Sequence, residues 1–206
     1  TIVIHIQMLD TTMVENKLTL EEQMMARAIS NAAKARPRCM PNPWVGAVLV
    51  SSDGQTFDGF TQEFGSGHAE TVCLNEAGQK AQGATLYVTL EPCSHSGKTG
   101  PCVERIIESR ISRVVIGMKD PDRQVCGEGI KSLQNAGVDV VVGVLEDLVA
   151  EQLAPYVHHR NTGRPYVILK IATTLDGKVA APDGSSQWIT GPVSYTHLTL
   201  PTTLTV

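Results

Sequence analysis

The chain has 206 residues and a net charge of −4, from 17 basic and 21 acidic side chains. Nucleic-acid-binding proteins usually carry an excess or a cluster of Lys and Arg, so this balance argues against a polynucleotide partner. No apolar run approaches the roughly 20 residues of a membrane-spanning helix, which argues against a membrane protein. The length and the 42% hydrophobic content are typical of one globular domain with a remnant of a second.

The five cysteines are an odd number, thinly spread, and do not form the pattern of a disulfide framework. We therefore expect reduced thiols and a cytoplasmic protein. The apolar patch near the N terminus lacks the basic n-region and the long h-region of a signal peptide. Residues 1–18 are expected to be a disordered or extended segment.

The first predicted helix begins at a capping box, in which Thr19 and Glu22 satisfy each other's backbone N–H groups. It should cover about residues 20–34, and Pro37 ends it. Its core-facing residues should include Met24, Ala28 and Ile29.

The rest of the chain alternates between strands and helices. After a rigid proline-rich loop that presents Asn42, strands are predicted at 45–50, 55–60, 84–90, 111–118 and 138–144. Ser52-Asp53-Gly54 is a hairpin turn signal between the first two strands, and a further strand is predicted at 166–173. Helices are predicted at 68–80, 102–109, 130–136 and 146–159. This alternation favours an α/β fold with a mostly parallel sheet covered by helices on both faces. Sites in such sheets form at the carboxyl ends of strands, where Cys93 and Asp120 fall.

The residues with the clearest chemical meaning are His68, Cys93 and Cys102. One imidazole and two thiolates suit Zn²⁺ and leave a fourth tetrahedral position for water. Glu70 can then act beside the metal as a general acid and base. An H-x-E motif followed by Pro-Cys and a second Cys is the pattern of zinc deaminases, which remove an amine from a ring carbon by adding water.

Two other interpretations stay open at this point. Structural zinc sites normally have four protein ligands, and His95 is the nearby candidate for the fourth in a non-catalytic, zinc-stabilised binding module. A nucleobase or tRNA deaminase would share the motif, although the interval from Cys93 to Cys102 is wider than P-C-x-x-C. The other cysteines are expected to be small buried hydrophobic residues rather than ligands: Cys39, Cys73 and Cys126.

Three motifs together resemble the bifunctional deaminase–reductases of riboflavin biosynthesis, the RibD family, and the resemblance runs from about residue 22 to residue 192. The motifs are Pro41-Asn42-Pro43-x-Val45-Gly46, His68-Ala69-Glu70, and Thr89-Leu90-Glu91-Pro92-Cys93-Ser94-His95-x-Gly97-x-Thr99-x-Pro101-Cys102. The resemblance implies a cytidine-deaminase-like three-layer α/β/α sandwich with a mixed, mostly parallel sheet.

The same resemblance implies a reaction and its residues. The reaction is the zinc-dependent hydrolytic deamination of 2,5-diamino-6-ribosylamino-4(3H)-pyrimidinone 5′-phosphate. One zinc ion would be held by His68, Cys93 and Cys102, with Glu70 as the proton donor. Substrate contacts are implied for Asn42, His95, Lys98 and Asp120. The family's D-P-N-P loop reads Asp120-Pro121-Asp122-Arg123 here, which puts the contact at position 122 in doubt.

A second, shorter region is similar to the start of an NADPH-dependent reductase domain with a dihydrofolate-reductase-like fold. It comprises Leu169-Lys170-x-Ala172-x-x-Leu175-Asp176-Gly177-Lys178 and Ser186-Gln187-Trp188-Ile189-Thr190-Gly191. The resemblance implies that Ala172 and Trp188 face NADP and that Ser186 faces the substrate.

These patterns predict a deaminase domain at 19–160, a linker at 161–165, the start of a reductase domain at 166–193 and an atypical tail at 194–206. The reductase portion is too short for a dinucleotide-binding domain of ordinary size, so we expect the reductase step to be incomplete in this chain. The expected partner is a small pyrimidine ribotide, with no nucleic acid and no membrane, and the family resemblance adds a homo-oligomer.

Overall fold

The computed structural model describes residues 18–36, 38–94, 100–122, 125–168, 176–178, 180 and 182–185. The backbone divides into two compact units, Thr1–Pro165 and Tyr166–Val206. In the second unit, the described residues form no helix or strand. Residues 166–168, the start of a predicted strand, are exposed there, and residues 169–173 of that strand lie outside the described part of the chain.

The first unit contains the secondary structure. Its strands are β1 (Gly46–Val50), β2 (Thr56–Phe60), β3 (Thr85–Leu90), β4 (Arg113–Met118) and β5 (Asp139–Val142). Its helices are α1 (Leu20–Ala35), α2 (Ala69–Ala77), α3 (Cys102–Glu108), α4 (Glu128–Asn135), α5 (Glu146–Gln152) and α6 (Ala154–Thr162). A 3₁₀ turn, Gly78–Ala81, extends α2. No helix in the described residues is long and apolar enough to cross a membrane.

The five strands form one sheet in the order β2-β1-β3-β4-β5. Strand β1 is antiparallel to both of its neighbours, whereas β3, β4 and β5 pair in parallel. Strand β1 therefore runs opposite to the other four. The predicted hairpin between β1 and β2 is confirmed, and so is the mixed, mostly parallel sheet.

The two faces of the sheet are covered by different helices, as a three-layer α/β/α sandwich requires. On one face, Val48, Tyr87 and Val115 occupy adjacent register positions and pack with Met25 and Ala28 of α1. The opposite face carries the alternate residues of the same strands, which join a larger cluster with residues of α2, α3 and α4. Successive side chains of a strand point to opposite faces of the sheet. Strands β1, β3 and β4 are covered on both faces, so most of their residues are apolar.

Helix α1 begins at the predicted capping box. The Thr19 side chain accepts from the Glu22 backbone N–H at 3.3 Å, and the Glu22 carboxylate accepts from the Thr19 N–H at 2.8 Å. Ala28 is fully buried as predicted, and the partly buried Met24 and Ile29 pack against the core. The buried apolar residues of α1 recur at intervals of three or four along one side of the helix: Met25, Ala28, Ala32 and Ala35.

The prediction of a single helix over residues 146–159 was wrong. The structure has α5 and then α6, with Leu153 between them and Pro155 in the first turn of α6. A proline has no backbone N–H and its ring crowds the preceding turn, so it is tolerated at the start of a helix but not in its interior. Helix α6 ends at Thr162, inside the predicted linker, where Gly163 adopts a left-handed conformation.

A close contact between β2 and α2 depends on Gly59. A Cβ atom at this position would collide with the carbonyl oxygen of Ala69 and lie 2.7 Å from the Cys73 sulfur. Helix α2 can therefore lie this close to the sheet because residue 59 has no side chain.

Candidate metal centre and substrate cavity

Two of the predicted site residues lie at the start of α2. His68 is the N-cap residue with an extended backbone, and the helix begins at Ala69. The prediction that His68 lies within the helix was therefore wrong by one residue. In the middle of a helix, His68 and Glu70 would point in different directions, because residues two positions apart lie about 200° apart around the axis. The extended backbone at His68 removes this constraint. At the helix terminus, both residues line the same cavity.

The two cysteines come from the ends of the long loop between β3 and α3. Cys93 lies just after β3, and Cys102 is the first residue of α3, with Pro101 as the N-cap. The Cys102 backbone N–H donates to the Cys93 sulfur at 3.4 Å, and the Val103 N–H donates to the Cys93 carbonyl at 3.2 Å. These bonds hold the two loop ends together. Residues 95–99 of the loop lie outside the described part of the chain.

His68, Cys93 and Cys102 converge as the sequence predicts. The His68 Nδ1 atom lies 3.2 Å from the Cys102 sulfur and 3.6 Å from the Cys93 sulfur. The three donor atoms all lie within 4.8 Å of one another. Zinc bonds of about 2.3 Å to sulfur and about 2.0 Å to nitrogen in a tetrahedral site place such donors about 3.5 Å apart. The donor set and its spacing therefore fit Zn²⁺.

The two thiols have opposite pKa shifts. The pKa of Cys93 is lowered to about 4, because its sulfur accepts hydrogen bonds from Cys102 and His68. The pKa of Cys102 is raised, since its thiol donates to Cys93 and is buried. These hydrogen bonds favour the thiolate of Cys93 over that of Cys102, and uptake of zinc by both sulfurs would be coupled to proton release.

Glu70 is almost completely buried, with 4% of its surface exposed. Burial raises the pKa of its carboxyl group, and the neighbouring His68 ring opposes that shift. A raised pKa brings a carboxylate closer to the range in which it can both accept and return a proton near neutral pH. Glu70 thus has the environment of a proton shuttle.

A cavity of about 290 Å³ opens onto these groups. Two residues predicted to bind substrate, Asn42 and Asp120, line it together with His68, Glu70 and Cys93. Cys102 is buried beside them. The remaining predicted site residues lie outside the described part of the chain: His95, Lys98, Ala172, Ser186 and Trp188.

Helix α6 contributes cavity residues that the sequence analysis missed. The Tyr156 hydroxyl lies 2.9 and 3.2 Å from the two carboxylate oxygens of Asp120. Arg160 pairs with Asp122 at 3.3 Å and lies 5.2 Å from the centre of the Tyr156 ring. The four-residue spacing places Tyr156 and Arg160 on one helix face. Nothing local in the sequence indicates which loop that face contacts.

All five cysteines are free thiols. Cys39 and Cys73 are buried as predicted. The prediction for Cys126 was wrong, because it lies exposed in the loop before α4. Cys126 is therefore a surface thiol away from the metal ligands.

Two family models match the chain in separate regions. Residues 18–118 match the cytidine and deoxycytidylate deaminase zinc-binding region, and residues 165–200 match the RibD C-terminal domain. The chain is 45% identical over 175 residues to the riboflavin biosynthesis protein RibD of Aquifex aeolicus (strain VF5), covering 85% of this chain and 49% of the relative. The chain belongs to the RibD family.

Solved RibD structures share the fold. The diaminohydroxyphosphoribosylaminopyrimidine deaminase/5-amino-6-(5-phosphoribosylamino)uracil reductase of Thermotoga maritima has a TM-score of 0.79 and 44% identity, over 86% of this chain and 51% of that one. The Aspergillus oryzae Rib2 deaminase, a C-terminal deletion mutant in complex with DARIPP, has a TM-score of 0.56 and 28% identity, over 69% and 94%. The chain spans about half the length of the curated RibD relatives it matches.

Proposed function

We propose that this chain catalyses the hydrolytic deamination of 2,5-diamino-6-ribosylamino-4(3H)-pyrimidinone 5′-phosphate, the deaminase step of riboflavin biosynthesis. One observation carries the proposal: three soft or borderline donors lie at zinc-binding distances beside a buried carboxylate, in one cavity. The membership in the RibD family supports this particular substrate over other aminated rings.

His68, Cys93 and Cys102 would hold the metal. A zinc ion in this site supplies Lewis acidity, which makes water acidic enough to act as a nucleophile near neutral pH. Cys93 and Cys102 contribute negative charge, and His68 contributes a neutral ring nitrogen. Backbone hydrogen bonds from Cys102 and Val103 to Cys93 hold the two cysteines together.

Glu70 would manage the protons of the reaction. Its carboxylate takes one proton from the attacking water and gives it to the ring nitrogen, and then takes the second proton from the added hydroxyl and gives it to the departing amine. A C–O bond forms, the C–N bond breaks and ammonia leaves. The burial of Glu70 excludes bulk water and keeps the carboxylate from losing the proton to solvent before it is returned.

Asn42 and Asp120 would orient the pyrimidine. A carboxylate accepts from the amino groups of a diaminopyrimidine, whereas an amide can both donate and accept at the ring edge. Both side chains line the cavity with Glu70. We further infer, from the family resemblance, that His95 and Lys98 contact the substrate and that Lys98 serves its phosphate group.

Replacing Glu70 by Gln tests the proposal most directly. The variant keeps the side-chain shape but cannot accept a proton, so we expect kcat to fall about 10²- to 10⁴-fold. Ammonia release is measured with the diaminopyrimidine ribotide, and the zinc content is measured in parallel. Glu76→Gln, an exposed position on the same helix, is the matched control. Undiminished turnover by a zinc-loaded Glu70→Gln variant would remove Glu70 from its role.

We infer further that the deaminase domain covers residues 19–160, with a linker at 161–165 and the start of the reductase domain at 166–193. In that second part, Ala172 and Trp188 would face NADP and Ser186 the reductase substrate. Limited proteolysis with mass spectrometry tests the division. Cleavage first within 161–165 supports it, and earlier cleavage inside 19–160 contradicts it.

A cytoplasmic location and a homo-oligomer belong to the same proposal. The five free cysteines support a reducing compartment. Light scattering after size-exclusion chromatography measures the molar mass in solution. A monomeric mass at micromolar concentration would contradict the oligomer.

A further inference from the structure

Glu91 is a buried carboxylate that the reaction described above does not use. It lies directly after β3, two residues before the metal ligand Cys93, and only 4% of its surface is exposed. A buried charge is costly unless it is paired or well hydrogen-bonded. The partners of Glu91 therefore indicate what this residue does.

Four backbone N–H groups donate to the two oxygens of Glu91. The Oε2 atom accepts from Asp120 at 3.2 Å and from Gly127 at 2.9 Å. The Oε1 atom accepts from Gly129 at 3.0 Å and from Ile130 at 3.2 Å. All four donors lie in the segment after β4, far from Glu91 in sequence. The carboxylate therefore joins the end of β3 to the loop between β4 and α4. It binds that loop at its start, through Asp120, and again where α4 begins.

The backbones also meet closely at this point. A Cβ atom on Gly129 would collide with the carbonyl oxygen of Pro92 and lie 3.2 Å from the Glu91 carboxylate. Gly127, the N-cap residue of α4, has a left-handed backbone with φ of 90°. Both glycines allow the start of α4 to lie directly on the Glu91-Pro92 segment. The negative charge at this helix terminus also complements the helix dipole.

The loop that Glu91 holds carries the cavity residue Asp120. The Asp122 N–H donates to the Asp120 carboxylate at 2.8 Å, and the Asp122 carbonyl accepts from Val125 and Cys126 at 2.9 Å each. A shift of the loop would therefore move Asp120 and Asp122 together. The metal ligands are held by separate bonds between Cys93, Cys102 and Val103.

We propose that Glu91 is a positioning residue that fixes the Asp120 loop against the metal centre and thereby sets the affinity for substrate. This inference rests on the proposed function, since it assigns Asp120 to the substrate. Glu91 also borders the cavity, but both of its carboxylate oxygens accept from the four amides, so it acts on the substrate through the Asp120 loop.

Replacing Glu91 by Gln tests this inference. The amide NH₂ would face two backbone donors, so at least one pair of hydrogen bonds is lost. We expect KM to rise about 10-fold or more, from the cost of a buried unsatisfied donor, with kcat changed less than about 3-fold and zinc content unchanged. The amides of Asp120, Gly127, Gly129 and Ile130 should exchange hydrogen faster, while those of β1 and β3 keep their protection.

Two further variants sharpen the result. Glu128→Gln removes an exposed carboxylate at the start of the same helix, which bonds Lys131 at 2.6 Å, and it should change neither KM nor amide exchange. Glu91→Asp keeps the charge and should restore part of the affinity. If Glu91→Gln does not fold, the same measurements on Glu91→Asp decide, with a smaller rise in KM expected.

Three outcomes would overturn the inference. The first is unchanged KM and unchanged exchange at the four amides. The second is a fall in kcat or zinc content at constant KM, which would place Glu91 in the metal centre. The third is a uniform loss of protection across the sheet, which would make Glu91 a stability residue only. Amide exchange and zinc content need no substrate, so a wild-type chain that fails to deaminate the ribotide would refute the proposed function without removing this test of the loop.

Discussion

The metal end of the cavity and its rim are built in different ways. At the metal end, His68, Cys93 and Cys102 lie at or near the ends of secondary-structure elements, and backbone N–H groups at the start of α3 donate to Cys93. At the rim, Asp120 meets Tyr156 of α6, a helix that comes 36 residues later. The residues at the metal end belong to short sequence motifs, whereas the rim depends on tertiary contacts between distant segments. Changes at the metal end should therefore affect the chemical step, and changes at the rim should affect binding.

The largest effect should come from breaking the metal end. Cys102→Ser replaces a buried thiolate ligand by a poor zinc ligand. We expect loss of bound zinc and a fall in activity of at least about 1000-fold, because both the nucleophile and the Lewis acid depend on the metal. Zinc content by elemental analysis and ammonia release are measured together. Cys126→Ser removes the exposed thiol and should change neither; equal zinc content in the two variants would contradict the site.

A smaller effect, on binding, is expected at the rim. Asp120→Asn keeps the shape but places an NH₂ group where the carboxylate now accepts from the Asp122 N–H and lies beside the Tyr156 hydroxyl. We expect KM to rise about 10- to 100-fold, with zinc content unchanged. Steady-state kinetics measures the change, and Asp147→Asn, at an exposed position on α5, is the control. A fall in kcat with constant KM would make Asp120 part of the chemical step.

Removing only the hydroxyl that supports Asp120 should have a milder result. Burial and the neighbouring Asp120 raise the pKa of Tyr156, so its hydroxyl stays protonated and donates at neutral pH. Tyr156→Phe should raise KM about 3- to 10-fold, the value of one lost hydrogen bond. The effect should be non-additive with Asp120→Asn, because the two residues are in direct contact. Fully additive effects in the double variant would show that the contact does not matter for binding.

The smallest effect on the reaction should come from a pair far from the cavity. Arg27 of α1 donates to both oxygens of Asp58 on β2, at 2.8 and 2.7 Å. Hydrogen bonds from Arg27 hold the pKa of Asp58 below its usual value. Both side chains are more than a third exposed, so solvent screening limits the contribution of the pair to about 1 kcal/mol or less. Arg27→Gln should lower stability by that amount at pH 7 and leave kcat and KM unchanged.

The stability difference should depend on pH. Because the folded-state pKa of Asp58 is depressed, its stabilisation is complete above the unfolded pKa of about 3.9 and is lost as pH falls through the folded value. Urea unfolding of wild type and Arg27→Gln from pH 7 downward should show two curves that converge at low pH. A difference that stays constant with pH would mean that the ion pair is not its cause.

Much of the fold could be predicted because its signals are local. The capping box at Thr19, the turn around Asp53 and the apolar runs of β3 and β4 each depend on a few neighbouring residues. The prediction of one helix over 146–159 was wrong because Pro155 is tolerated in the first turn of a helix but not in its interior. The position of His68 also differed by one residue, since helix ends depend on backbone angles that composition does not fix.

The residues of the candidate site also differ in whether local sequence signals could predict them. The convergence of His68, Cys93 and Cys102 was predictable because zinc chemistry requires particular donor types. Tyr156, Arg160 and the role of Glu91 were not, because each depends on which distant segment packs against it. Sequence spacing alone contains no record of that packing.

The contact at Gly59 gives this division a practical consequence. The Ala69 carbonyl that lies against Gly59 belongs to the residue between His68 and Glu70. A methyl group at position 59 would push His68 and Glu70 outward together, because Ala69 lies between them, whereas Cys93 and Cys102 belong to other segments, after β3 and at the start of α3. The distance between the Glu70 carboxylate and the sulfurs of Cys93 and Cys102 could therefore be changed by a substitution at Gly59 on β2, a position that has no functional group.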